Sequence, residues 1–170
     1  ITADAAPRAL MQLVAQEKIT TLLSVPTVFQ RLVALPELDA FDTSSLRVMG
    51  YAGSRMPTET IRDLRHHFPE VALHNFFGLT ETISMTHVLA GDDALERPES
   101  IGKLLPFVYA RIADEEGREV PAGETGELLF ARENIIPGYY EQPGNLEEAL
   151  LTIDGGTWFR TGDLAQVDAE

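Results

Sequence analysis

The sequence predicts an α/β fold, a partial parallel sheet flanked by helices and followed by a small β-rich, distorted barrel-like subdomain. Three observations predict it. Along roughly the first hundred residues, apolar positions recur alternately at helical and at strand spacing. Beyond Ile101 the chain breaks into short β-like runs punctuated by Gly and Pro. A composition of 44% hydrophobic and 24% charged residues over 170 positions supplies enough apolar side chains for a core.

The elements follow in order. From Pro7 to Lys18, Leu10, Leu13 and Val14 share one face at helical spacing, which predicts an amphipathic helix. Thr21-Leu22-Leu23-Ser24-Val25 reads as a short buried strand. Pro26 then sits where a first helical turn accepts proline, and Phe29, Leu32 and Val33 mark the next apolar face. Leu46 to Tyr51 is a second strand, Ala52-Gly53-Ser54 a tight turn, and Pro57 to Phe68 a helix with Ile61, Leu64 and Phe68 on one face. Val71 to Asn75 returns as a strand. In a parallel sheet of this kind, ligands collect beyond the carboxyl ends of the strands.

Gly91 to Ser100, with Asp92, Asp93, Glu96 and Glu99, reads as a solvated acidic loop between the two parts. Tyr109 to Ala113, Gly126 to Ala131 and Gly138-Tyr139-Tyr140 are β-like runs, and Glu116-Gly117 is a turn. This divides the chain into an α/β subdomain over 1–100 and a β-rich subdomain over 101–170. The chain starts at Ile1 without an initiator Met and stops on an acidic surface turn, Val167-Asp168-Ala169-Glu170, so an excised piece of a longer protein is expected.

Charge narrows the partners. With 27 acidic against 13 basic residues the net charge is −14, which repels nucleic-acid backbones and anionic membrane surfaces. An anionic ligand must be held locally, by backbone N–H groups, a few side chains and a divalent cation, for which magnesium is expected. Without cysteine there is no disulfide framework and no thiolate chemistry. No apolar run approaches the roughly 20 residues of a membrane span, and the cytoplasm is the default compartment.

Two clusters carry chemistry. In Asn75-Phe76-Phe77-Gly78-Leu79-Thr80-Glu81, the Asn75 amide offers a donor and an acceptor to an adenine edge, and Phe77 an apolar face for stacking. Gly78 lets the backbone approach closely, Thr80 can donate to an α-phosphate oxygen, and the Glu81 carboxylate is a hard oxygen ligand suited to Mg²⁺. A purely structural account also exists: a strand ending at Asn75, core phenylalanines, and Thr80-Glu81 capping a helix. In Trp158-Phe159-Arg160-Thr161-Gly162-Asp163, a glycine turn presents Asp163, whose two oxygens can accept hydrogen bonds from both hydroxyls of a ribose. Here the structural account is an ordinary β-turn with Trp158 and Phe159 in the core.

Together these residues resemble the superfamily of adenylate-forming enzymes that includes AMP-forming acyl-CoA synthetases, peptide-synthetase adenylation domains and firefly-type luciferases. Asn75 to Glu81 is similar to the aromatic-Gly-x-Thr-Glu motif of that superfamily, and Trp158 to Asp163 to its ribose motif. Gly126-Glu127-Leu128 through Gly138-Tyr139-Tyr140 is similar to the motif between them. The resemblance implies an internal fragment of the large N-terminal domain, with ATP or AMP, Mg²⁺ and coenzyme A as ligands of the intact enzyme. It assigns Ala52, Gly53, Ser54, Asn75, Phe76, Phe77, Gly78, Thr80 and Asp163 to the nucleotide, Thr80 and Glu81 to catalysis, Glu81 to the metal, and Ser84 and Met85 to the acyl pocket. Val25-Pro26-Thr27 matches another stretch near that pocket.

Departures are visible. Phe77 stands where the superfamily often has Tyr, and Arg55 replaces a common proline. The resemblance implies a phosphate loop before Ile1, and a hinge with a small lysine-bearing domain after Glu170. Lys18 and Lys103 match no catalytic context, so the fragment by itself is expected to be inactive. The histidines, His66-His67, His74 and His87, lack metal-ligand spacing, with His87 close to the acyl residues in sequence. An acyl-CoA synthetase acting on an apolar carboxylic acid is the favoured reading. The rivals are a peptide-synthetase adenylation domain and a noncatalytic nucleotide-binding module.

Overall fold

A computed structural model describes residues 6–168, which belong to two compact units. The first contains residues up to 78 together with 87–103, and the second contains 79–86 with 104 onward. Ala169 and Glu170 of the expected acidic terminus lie outside the described residues.

The first unit opens with α1 (Pro7–Glu17), which starts on a proline whose missing N–H costs a first turn nothing and ends at Lys18 in the left-handed region. Its Leu10, Met11 and Val14 are buried, one helical face as the spacing requires. Strand β1 (Thr21–Ser24), helix α2 (Pro26–Val33), strand β2 (Val48–Ala52), helix α3 (Thr58–His67) and strand β3 (Ala72–Gly78) follow. β1 pairs in parallel with β2, and β2 in parallel with β3. Met11, Phe29, Leu32, Met49, Ile61, Leu64 and Leu73 share one buried cluster that locks the helices onto the sheet. Each such side chain contributes about 1.5–3 kcal/mol by leaving water.

Two sequence expectations shift here. β3 runs to Gly78, so Asn75, Phe76 and Phe77 are the last turns of the pleat and not a loop beyond it. The acidic stretch after Gly91 is not wholly a loop: Asp93–Glu96 forms a short helix, α4, because Ala94 is fully buried against the core. The sheet order is completed by two strands, β4 (Met85–Ala90) and β5 (Lys103–Leu104), in the sequence β1-β2-β3-β4-β5.

The second unit is a curled antiparallel half-barrel of four strands, β6 (Ala110–Ala113), β7 (Thr125–Ala131), β8 (Leu150–Ile153) and β9 (Gly156–Gln166), in the order β6-β7-β9-β8. A short helix, α5 (Pro143–Glu147), precedes β8. Consecutive Leu128, Leu129, Phe130 and Ala131 are all buried, the mark of a strand covered on both faces. The Gly117 N–H donates to the Asp114 carbonyl at 3.0 Å and closes the turn expected at Glu116-Gly117. Gly138-Tyr139-Tyr140 is not a strand: only an isolated bridge joins Tyr139 to Gln142, because Pro137 and Pro143 on either side supply no ladder donors.

Candidate functional site

The residues of the first unit that the resemblance assigns to the nucleotide sit at the carboxyl ends of β2 and β3. Ala52 is the register partner of Phe76, and Tyr51 that of Asn75, so the two strand ends advance side by side. Gly53 and Ser54 follow as exposed residues, with Gly53 at φ +87°, a conformation that favours glycine. The Asn75 side-chain amide donates to the Ser100 carbonyl at 3.3 Å, which orients it.

Gly50 decides where the Phe76 ring lies. A Cβ there would collide with Leu23 and stand 2.6 Å from the Phe76 ring, so only glycine leaves that ring its place across β2. Phe77 points to the other face of the pleat and meets His87 edge-on, with ring centroids 5.7 Å apart at 69°.

His87 lies on β4 and is 9% exposed. Burial lowers its pKa to about 4. The folded value is below the ordinary one near 6.5, so the neutral ring is favoured by folding. The contribution is fully present above about pH 6.5 and is lost as pH falls towards about 4, to a limit of about 3 kcal/mol. Thermal melts across that window are expected to show the loss in the native sequence and a flatter profile in His87→Leu. An unchanged slope in the variant assigns the acid sensitivity to another group.

In the second unit, residues 79–84 form a turn and not the start of a helix, which removes the capping account of Thr80-Glu81. Thr82 organises it. Its buried hydroxyl accepts from the Leu79 N–H at 2.9 Å and lies 2.8 Å from the Ser84 carbonyl. Ile83 adopts φ +66° while 75% exposed, a conformation rare for a β-branched residue and typical of strain held at functional loops. Thr80 and Ser84 are exposed, and Met85 is 42% exposed at the start of β4.

Glu81 is half-buried and tied to the segment after β7: its carbonyl accepts from the Ile136 N–H at 2.8 Å. The Tyr139 hydroxyl donates to its Oε1. That bond holds the Tyr139 phenol above the usual range and leaves Oε2 without a donor among the described residues.

The ribose motif lies inside β9 and is no turn. β7 and β9 pair Glu127 with Leu164 and Leu129 with Arg160, so Thr161, Gly162 and Asp163 together face Leu128 as a bulge. Gly162 takes φ +78°. Thr161 Oγ1 donates to the Leu128 carbonyl at 2.8 Å and accepts from the Asp163 N–H at 3.0 Å. Asp163 is exposed, and its carboxylate accepts no hydrogen bond from the described residues. Phe159 is buried, whereas Trp158 is half-buried with the Arg111 guanidinium 3.9 Å from its ring centroid.

Sequence reasoning named Glu127 and Tyr139 only as members of a motif, and assigned no partner to Arg160 or Arg111. For Glu127 and Arg160 the available signal was opposite charge in two neighbouring motifs. Arg55, one of the departures, forms an exposed ion pair with Glu99, which contributes little to stability. Among the described residues no group of three or more His, Cys, Asp or Glu side chains is placed to hold a metal.

Comparison with known proteins identifies the family. The family described as "AMP-binding enzyme" matches residues 1–140. An acyl-CoA ligase of Aspergillus fumigatus, sidI, is 36% identical over 166 residues, covering 96% of this chain and 28% of the relative. A feruloyl-CoA synthase of Amycolatopsis is 33% identical over 164 residues, covering 96% of this chain and 32% of the relative. The crystal structure of the anthranilate CoA ligase AuaEII in complex with anthranoyl-AMP superposes with a TM-score of 0.81 at 28% identity, covering 99% of this chain and 31% of that one. The chain therefore spans about a third of the length of the relatives it matches. It belongs to the AMP-binding family of adenylate-forming enzymes.

Proposed function

We propose that this chain is part of a ligase that activates a carboxylic acid with ATP and transfers the acyl group to coenzyme A. In the first step a carboxylate oxygen attacks the α-phosphorus, an acyl-adenylate forms and pyrophosphate leaves. In the second, the coenzyme A thiol attacks the acyl carbon, the thioester forms, and AMP departs with the proton going to solvent. The observation that carries the reading is an exposed Asp163 carboxylate, without a hydrogen-bond donor among the described residues, held on a glycine bulge in a family of AMP-binding enzymes.

In this reading Asp163 accepts both ribose hydroxyls, Asn75 faces the adenine edge, and Phe77 stacks beside it. Ala52, Gly53 and Ser54 back the base, and Gly78 lets the chain run close to the nucleotide. Thr80 donates to an α-phosphate oxygen. Glu81 suits Mg²⁺ because its Oε2 is uncommitted, and Mg²⁺ accepts one or two protein carboxylates together with phosphates. When bound, the ion neutralises charge on the phosphates. Ser84 and Met85 offer no counter-charge, which favours an apolar acid over a zwitterionic one. Among the described residues no helix is long and apolar enough to cross a membrane.

Asp163→Ala in the intact ligase is expected to weaken ATP binding by about 1.5–3 kcal/mol, roughly 10- to 150-fold. Calorimetry with ATP checks this, and unchanged affinity removes Asp163 from the site. Pyrophosphate exchange with a panel of carboxylic acids identifies the acid. Turnover that requires coenzyme A separates a CoA ligase from a carrier-linked adenylation domain, and absent exchange with every acid favours a noncatalytic module.

A further inference from the structure

We propose that Glu127, clamped by Arg160, is a positioning residue that sets the Asp163 carboxylate for the ribose diol of the nucleotide. The inference rests on the ribose reading of Asp163 given above and deepens it. Glu127 stands on β7 where the register with β9 breaks. Both of its oxygens are engaged. Oε2 accepts from Arg160 Nε at 2.8 Å and from Nη2 at 2.6 Å, and Oε1 accepts from the Gly162 N–H at 3.0 Å. Its side chain is only 15% exposed, so these charge-assisted bonds are partly shielded from water.

A bulge leaves its extra residue without a ladder partner, and a glycine within it is free to rotate. Rotation about Gly162 swings the next residue, Asp163. Here the Glu127 carboxylate captures the Gly162 N–H, and the Thr161 hydroxyl captures that of Asp163 at 3.0 Å. The backbone on both sides of the Cα that aims Asp163 is thus fixed by side chains, while the Asp163 carboxylate is left open. A Cβ built on Gly162 would meet nothing within 4 Å, so no packed side chain crowds this position, and the two hydrogen bonds are the restraints on it. Arg160 holds Glu127 through two donors, Nε and Nη2, that converge on Oε2 and leave Oε1 to the Gly162 N–H. The ordering cost of aiming Asp163 is thereby met before the nucleotide arrives.

The test uses the intact ligase with ATP and with 2′,3′-dideoxy-ATP, in Glu127→Ala, Glu127→Gln, Asp163→Ala and the double variant Glu127→Ala/Asp163→Ala. In Glu127→Ala the KM for ATP is expected to rise about tenfold, the equivalent of one charge-assisted hydrogen bond, with kcat and the KM for dideoxy-ATP little changed. Asp163→Ala should cost less in the Glu127→Ala background than in the native one, since the two residues act on one contact. Glu127→Gln keeps the volume and an acceptor for the Gly162 N–H, and gives the same preference shift at smaller amplitude if Glu127→Ala does not fold. If Asp163→Ala leaves the preference for ATP over dideoxy-ATP intact, the ribose reading itself fails. If Asp163→Ala erases that preference while both Glu127 variants retain it, the positioning role is overturned and the ribose reading stands. A lowered melting temperature with unchanged nucleotide preference makes Glu127 a brace of the sheet and likewise overturns the proposal.

Discussion

If the intact protein is the proposed ligase, Glu81→Gln is expected to lower the rate of acid-dependent pyrophosphate exchange by about 100- to 1,000-fold, the range found when one electrostatic contact to a developing charge is removed. The substitution keeps the side-chain volume and an oxygen able to accept from the Tyr139 hydroxyl, so the turn from 79 to 84 is left in place. What it removes is the negative charge. In-line transfer at phosphorus asks the protein chiefly for positioning and charge neutralisation, and in the proposed role Glu81 would hold Mg²⁺ and so supply part of both. The loss should therefore appear in kcat and in the Mg²⁺ concentration needed for half-maximal rate, with the melting temperature unchanged. Undiminished exchange in the variant takes Glu81 out of the metal site.

Phe29→Ala carries the largest expected effect on stability. Phe29 lies on α2, is fully buried, and packs in the cluster that joins the helices to the parallel sheet. Truncating a buried phenylalanine removes its transfer free energy and leaves a cavity, and together these cost about 3–5 kcal/mol. That is a large part of the 5–15 kcal/mol that roughly bounds the stability of a domain. The urea midpoint for unfolding of the unit that holds Phe29 should fall by that loss divided by its m-value, which grows with the surface exposed on unfolding. Phe29→Leu, which keeps most of the volume, should lose much less. Equal shifts for both variants contradict the cavity explanation.

Much of the fold was legible because it is local. Leu10 and Val14, Phe29 and Leu32, and Ile61 and Leu64 recur at helical spacing, and each pair is buried as that spacing requires. Pro26 marked the start of α2 for a reason internal to that residue. The strand Met85–Ala90 escaped because Thr86, His87 and Leu89 are buried on both of its faces, which erases the alternation that betrays a strand. The bulge in β9 escaped for a related reason. Thr-Gly-Asp is turn chemistry when read alone, and only pairing with β7 converts it into a bulge.

The candidate site divides the same way. The residue types at Asn75, Phe77, Thr80, Glu81 and Asp163, in that order, were enough to determine an adenylate-forming resemblance, and the comparisons show the family over residues 1–140. Hydrogen-bonding groups, stacking faces and hard oxygen ligands are properties of the side chains themselves, so they are readable before folding. Which group holds which carboxylate is not. Tyr139 reaches Glu81 across 58 positions and Glu127 reaches Gly162 across 35, distances in sequence at which no periodicity survives. The sequence by itself determined the chemistry available and the secondary elements that carry it. Only the tertiary structure decided which carboxylate is clamped and which is left open, because a hydrogen bond forms over about 3 Å of space and takes no account of separation along the chain.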